Sequence, residues 1–223
     1  MSPPDAFPIA LSLRVAALSL VLVTPLGIAL AWVQAKRSYP LRGLVDALIL
    51  LPLVLPPSVV GYLLVVFLGR QGPLGAALER TFDLRLVFTP AAAVIASSIV
   101  ALPLLVKTAQ PVFEAIPREI EDVGRSLGLA PLALFFRVTL PAAWRGVVAG
   151  LVLAFARAIG EFGATLMFAG NIPGRTNTMP LEIFAAFQLG DDRRALLYVT
   201  VLVGLSGIVV LAASKLAPKG VRA

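Results

Sequence analysis

The sequence contains no cysteine and no histidine. The first absence excludes disulfides and thiol chemistry; the second excludes imidazole metal ligands and a histidine proton relay. Charge is scarce too: Asp, Glu, Lys and Arg together supply 14% of the 223 residues. None of the four lysines follows a glycine, so the GxxxxGK[ST] loop that cradles nucleotide phosphates is missing. The acidic pairs Glu121/Asp122 and Asp191/Asp192 fall in expected loops, where solvated capping or charge balance is their ordinary role. A redox, metal-dependent or hydrolytic enzyme is therefore not expected, nor any cofactor bound by this chain.

What the chain has in abundance is apolar surface. Hydrophobic residues make up 59% of it, and the mean hydropathy is +0.94; a soluble core of this size could not hide so much. Five stretches reach or approach the ~20 residues needed to cross a bilayer: 9–32, 44–68, 86–105, 147–169 and 195–216. Pro90 shortens the third, and Arg157 and Glu161 interrupt the fourth. The expected fold is an all-α integral membrane protein, one transmembrane domain over 1–223 with about five helices.

Residues 1–8 carry no Lys or Arg, so the basic start of a cleavable signal peptide is missing and the first span is expected to be retained. Lys and Arg concentrate on the cytoplasmic side of membrane proteins. With the N-terminus outside, eleven fall inside: Lys36, Arg37, Arg42, Lys107, Arg118, Arg125, Arg137, Arg145, Lys215, Lys219 and Arg222. Six fall outside: Arg70, Arg80, Arg85, Arg175, Arg193 and Arg194. The expected placement is an inner membrane with a cytoplasmic C-terminus. The net charge of +7 then reads as topology and lipid contact, with no need for nucleic acid. No regulatory domain is expected after the last span.

Between the third and fourth runs lies a hydrophilic interruption. Pro117 suits a first helical turn, Glu119, Glu121 and Asp122 complement the positive end of its dipole, and Gly128 is a left-handed terminator. Pro131 begins a second helix expected to stop near Pro141. That helix carries Leu132, Leu134, Phe135, Phe136 and Val138, too apolar for a solvated connector. It either docks in a groove of a partner, with Phe135 and Phe136 as anchors, or lies on lipid or on the chain's own bundle.

The sequence EDVGRSLG over 121–128, followed by VTLP over 138–141, resembles the cytoplasmic coupling loop of ABC importer permeases. In that family an Glu-Ala-Ala triplet, a glycine and a terminal Leu-Pro recur at set spacing. Counting from Asp122, Gly128 lies six residues on, and nine residues separate it from Val138; Asp-Val-Gly replaces Glu-Ala-Ala. The resemblance implies that Glu121, Asp122, Gly124, Arg125, Gly128, Phe135, Phe136, Leu140 and Pro141 take part in coupling to an ATPase. Two further segments, LPLVLPPSVVGYLL over 51–64 and FARAIGEFGAT over 155–165 continuing to NIPG at 171–174, resemble the molybdate/sulfate importer permease family, and within it the molybdate permease subunit.

Pro52, Pro56 and Pro57 break the backbone ladder inside a span, and the freed carbonyls need protein partners or a wet cavity. Three prolines within six residues favour a wall or gate of a solute path, with Ser58 as an uncharged donor, over a packing kink. Arg157 and Glu161 share a helical face and are expected to pair, as a gate or as a lock between helices; the lock is favoured because a strong fixed cation would trap a dianion. Thr165 completes the candidate path residues. Gly146 and Gly150 form a GxxxG suited to close helix approach. Arg14, near the outer end of the first span, is expected to snorkel. The apolar piece 181–189, too short to cross, is expected to re-enter the membrane or lie on its outer surface.

The resemblance implies an importer of a tetrahedral oxyanion, molybdate or tungstate, with sulfate as the alternative. It also implies a second copy of the chain, a cytoplasmic ABC ATPase dimer that binds the ATP and Mg, and a periplasmic oxyanion-binding protein. A channel or secondary transporter is the reading of a different class; there the loop would be incidental and Arg157–Glu161 central.

Overall fold

The computed structural model describes residues 3–216. Lys219 and Arg222, counted above among the inside charges, lie outside the described residues, as does the start of the N-terminal segment. Eleven α-helices are described: α1 (Pro3–Lys36), α2 (Arg42–Val54), α3 (Pro57–Leu68), α4 (Pro73–Phe82), α5 (Pro90–Glu114), α6 (Arg118–Ser126), α7 (Pro131–Leu134), α8 (Leu140–Ile159), α9 (Gly163–Ala169), α10 (Met179–Gln188) and α11 (Asp192–Leu216). A π-helical turn, Phe135–Thr139, joins α7 to α8. By length and apolar composition four helical stretches can cross a membrane: Ala6–Lys36, Pro90–Glu114, Pro131–Ile159 and Asp192–Leu211. The pair α2 and α3 makes a fifth if its 113° bend is one broken span.

Helix α5 forms the centre of the bundle. Pro90 stands at its first position, where a missing N–H costs nothing, and the Thr89 hydroxyl accepts the Ala92 N–H at 3.3 Å. Pro90 therefore starts the third span, which runs on to Glu114, beyond the expected end at 105. Small residues at Ala92, Ala93, Ala96, Ala101 and Ala109 are buried and let α1 and α8 approach closely. Gly146 and Gly150 do this from the α8 side: an added Cβ would lie 2.2 Å from Val112 Cγ2 and 2.9 Å from Leu105 Cδ1 respectively. The GxxxG is thus a packing device between α8 and α5. Leu18, Val21, Leu22 and Leu26 of α1 and Leu196, Val203 and Ile208 of α11 are exposed, apolar faces suited to lipid or to another membrane helix.

The diproline explains the bend. Leu55, preceding a proline, is extended (φ −69°, ψ 144°), and Pro56 is extended as well (φ −54°, ψ 135°). Pro57 then opens α3 at a position that tolerates proline.

Two expectations about the fourth run change. The helix beginning at Pro131 does not stop near Pro141, because the π turn widens the ladder there. The Leu140 N–H reaches the Phe135 carbonyl, and Pro141, which has no N–H to lose, sits in the first turn of α8. The run 147–169 is also divided. Helix α8 ends at Ile159, and the Glu161 carboxylate accepts the Ala164 N–H at 2.8 Å, starting α9 as a separate short helix. Helix α10, the short apolar piece, packs back into the bundle: Met179 and Leu181 are buried, and the Met179 N–H donates to Ser12 Oγ of α1 at 2.7 Å.

Candidate coupling surface and translocation path

Helix α6 ends in a Schellman motif. Gly128 has φ 81°, its N–H donates to the Arg125 carbonyl at 2.9 Å, and the Leu129 N–H reaches back to Gly124 at 3.2 Å. The corner turns the chain into α7, whose Leu134 is buried against Gly124, leaving no room for a Cβ: one would lie 2.4 Å from Leu134 Cδ1. That contact accounts for the glycine standing where the motif's last alanine is usual.

The outward side of this helix–corner–helix is apolar. Ile120, Val123, Leu127, Leu132 and Phe136 are all exposed, flanked by Asp122 and Arg125, paired at 2.5 Å. The expected anchors, whose rings meet edge to face at 5.1 Å between centroids, differ in exposure. Phe136 is 61% exposed, whereas Phe135 turns inward, 5.4 Å from Trp32 and 6.3 Å from Phe113 between ring centroids. Leu140 is half-buried and Pro141 exposed.

Glu121 points the opposite way from Asp122. Only Glu121 and Gly124 of α6 are buried. The Thr139 hydroxyl donates to Glu121 Oε1 at 3.1 Å, and Lys36 Nζ lies 3.5 Å from the same oxygen while donating to the Ile116 carbonyl at 2.7 Å. Sequence reasoning missed Lys36 and Thr139 here; Lys36 read only as a topology charge. It also missed a neighbouring network in which Tyr39 donates to Gln34 and Lys107 pairs with Asp46, tying α1, α2 and α5 together.

The candidate path residues converge although about a hundred positions separate them in sequence. Gly163 at the start of α9 abuts the start of α3: its Cβ would lie 2.9 Å from Pro57 Cβ and 3.2 Å from the Ser58 nitrogen. Gly61 allows the same helices to meet further along, with Ala164 and Met167 within 3 Å of an added Cβ. Pro56 and Ser58 are exposed, and Pro57 is half-buried. Arg157 Nη1 lies 2.7 Å from Glu161 Oε2, with side-chain exposures of 27% and 1%. That oxygen makes no directed hydrogen bond, so the contact is a close ion pair outside ideal hydrogen-bond geometry. Thr165 is buried, and its hydroxyl has no hydrogen-bond partner among the described residues.

Residues 23–222 match the family described as binding-protein-dependent transport system inner membrane component. This chain belongs to that family. Among the permease's relatives is the molybdenum transport system permease protein ModB of Haemophilus influenzae, 44% identical over 178 residues, covering 80% of this chain and 78% of the relative. A probable sulfate transport system permease protein, cysT of Nephroselmis olivacea, is 34% identical over 210 residues, covering 92% and 74%. Among solved structures, a chain of a bacterial alginate ABC transporter in complex with an alginate pentasaccharide-bound periplasmic protein superposes with a TM-score of 0.75 at 18% identity. The match covers 98% of this permease and 80% of that chain, and at that identity it speaks for the fold.

Proposed function

We propose that the permease is the membrane subunit of an ABC importer for molybdate, driven by ATP that a partner ATPase binds and hydrolyses on the cytoplasmic side. The observation that carries coupling is the exposed apolar face of α6 and the following segment, Ile120, Val123, Leu127, Leu132 and Phe136, built on a rigid glycine corner. Such a face needs a partner. In this reading the N-terminus lies outside, and the ends of α1 and α5, which meet α6, lie at the cytoplasmic surface. A periplasmic binding protein delivers the anion, and a second copy of the permease closes a path that one five-span chain is too small to enclose.

The mechanism follows from connectivity. Closure of the ATPase dimer displaces residues 117–141. The π turn passes that displacement into α8, a helix of 20 residues, about 30 Å long at 1.5 Å per residue. Its far end is the break that carries Arg157 and Glu161 and leads into α9, packed on the diproline start of α3. Moving α8 therefore moves α9 against Pro57 and Ser58, opening and closing the path. Arg157 is partly exposed but neutralised by Glu161, so it can guide a dianion without trapping it.

Molybdate is favoured over sulfate because the molybdenum relative is the more similar of the two. The sulfate relative supports the second reading. The test is ATPase activity of the purified complex, reconstituted with its ATPase and binding protein, during titration with molybdate, tungstate and sulfate. Stimulation by molybdate and tungstate alone supports the first reading; stimulation by sulfate moves the substrate to the second.

A further inference from the structure

Adjacent acids in α6 face opposite worlds. Asp122 occupies the acidic position of the coupling motif and is exposed, beside Arg125. Glu121 is 6% exposed and held between Lys36 of the last turn of α1 and Thr139 of the π turn. Lys36 is equally enclosed, and Thr139 is 1% exposed. Arg125 Nη2 approaches the second Glu121 oxygen only to 3.8 Å.

Burying an ion pair is a poor way to gain stability, since desolvation of both charges offsets most of their attraction. What such a pair supplies is direction and register. Here the register matters, because only two residues of α6, Glu121 and Gly124, are buried against the rest of the chain. Gly124 packs closely on Leu134 in an apolar contact without a directional side-chain partner. Among the described residues, Glu121 is the α6 side chain with polar contacts to the rest of the chain, and it ends on two of the helices that leave this surface for the membrane, α1 and, through the π turn, α8.

We propose that the Lys36–Glu121–Thr139 clasp carries the movement of α6 into α1 and α8, making Glu121 a positioning residue for energy coupling and leaving ATPase contact to Asp122 and the exposed apolar face. The inference rests on the function proposed above. Without the clasp, α6 follows the ATPase while the spans lag, so ATP is hydrolysed with little transport.

The test uses the full complex in proteoliposomes, measuring molybdate taken up and ATP hydrolysed per assembled complex for the wild type, Glu121→Gln, Thr139→Val and Thr139→Ser. Expected is a drop in uptake per ATP of roughly tenfold for Glu121→Gln and Thr139→Val, the scale of one hydrogen bond to a charged group. ATPase capture and hydrolysis persist, and Thr139→Ser restores the ratio because it keeps the hydroxyl. Asp122→Asn gives the opposite split, weakening ATPase capture. A purely structural clasp would lower the amount of assembled complex and leave uptake per ATP unchanged; that result, or a wild-type ratio in both variants, overturns the inference. Failure of the wild-type chain to capture any ATPase overturns the proposed function itself, and the two failures are told apart by that control.

Discussion

Glu161 shows how much one buried side chain can settle. Its two oxygens do different work: one accepts the Ala164 N–H in the first turn of α9, the other faces Arg157. Glu161→Gln keeps an acceptor for Ala164 and loses the charge, whereas Glu161→Ala loses both and leaves a buried N–H unsatisfied. The alanine variant should be the less stable by about 1–3 kcal/mol, read from thermal unfolding in detergent; equal losses would mean that the ion pair alone holds the break. Gly146 is a second such position. Gly146→Leu drives a side chain into Val112 of α5 and should destabilise the bundle by about 1–3 kcal/mol, while unchanged unfolding would show that α5 and α8 are not pressed together there. At this scale the sequence was only partly legible. The motif spacing from Asp122 to Pro141 marks the surface without any structure. The inward turn of Glu121 is invisible because its partners, Lys36 and Thr139, reach it only through packing. The same holds for the unequal exposure of Phe135 and Phe136.

At the scale of elements, hydropathy found the spans and misjudged their joints. It reads straight through Gly160, Glu161 and Phe162, since one acidic residue hardly lowers the mean of a long apolar window, and the cap that divides α8 from α9 depends on where a carboxylate points. It also ends a helix at Pro141, where a π turn lets the chain continue. The diproline was legible, because two consecutive extended residues follow from proline geometry alone. Replacing Pro56 and Pro57 together with alanine should let α2 and α3 straighten toward one helix and abolish transport in an assembled complex; retained transport would reduce the bend to packing. Helix α4 gives a pH test outside the spans. A hydrogen bond from Arg70 holds the Glu79 carboxyl below its ordinary range, and the nearby Arg85 adds to the effect. A depressed carboxylate pKa contributes stability above the unfolded value, about 4.3, and that stability is lost as pH falls through the lowered folded value. Amide protection in α4 should therefore hold down to about pH 4 and fall below it, and should weaken with salt because the groups are exposed; loss already between pH 6 and 5 would point to another group.

Across the whole molecule, the ends of the helices sort into two surfaces. One carries Lys36, Arg42, Glu114 and α6, joined by Lys36–Glu121 and Arg42–Glu114. The other carries the joined Ser12 and Met179, and the Arg194–Glu182 pair. The absence of cysteine makes their sidedness simple to test: Ser126→Cys should be labelled only from the cytoplasmic side and Gln71→Cys only from outside, and the reverse pattern would invert the topology. The central claim is that movement at residues 117–141 drives the anion path. It is tested most directly by molybdate uptake into proteoliposomes holding the complete complex, with ATP supplied to the ATPase side and with the Gly128→Val variant in parallel. Valine is strained at φ 81° and disturbs the corner without touching the path. Expected is ATP-dependent uptake by the wild type that the variant loses while its membrane bundle remains folded. Uptake that needs no ATPase, or that survives the broken corner, would contradict it and favour a channel or secondary transporter.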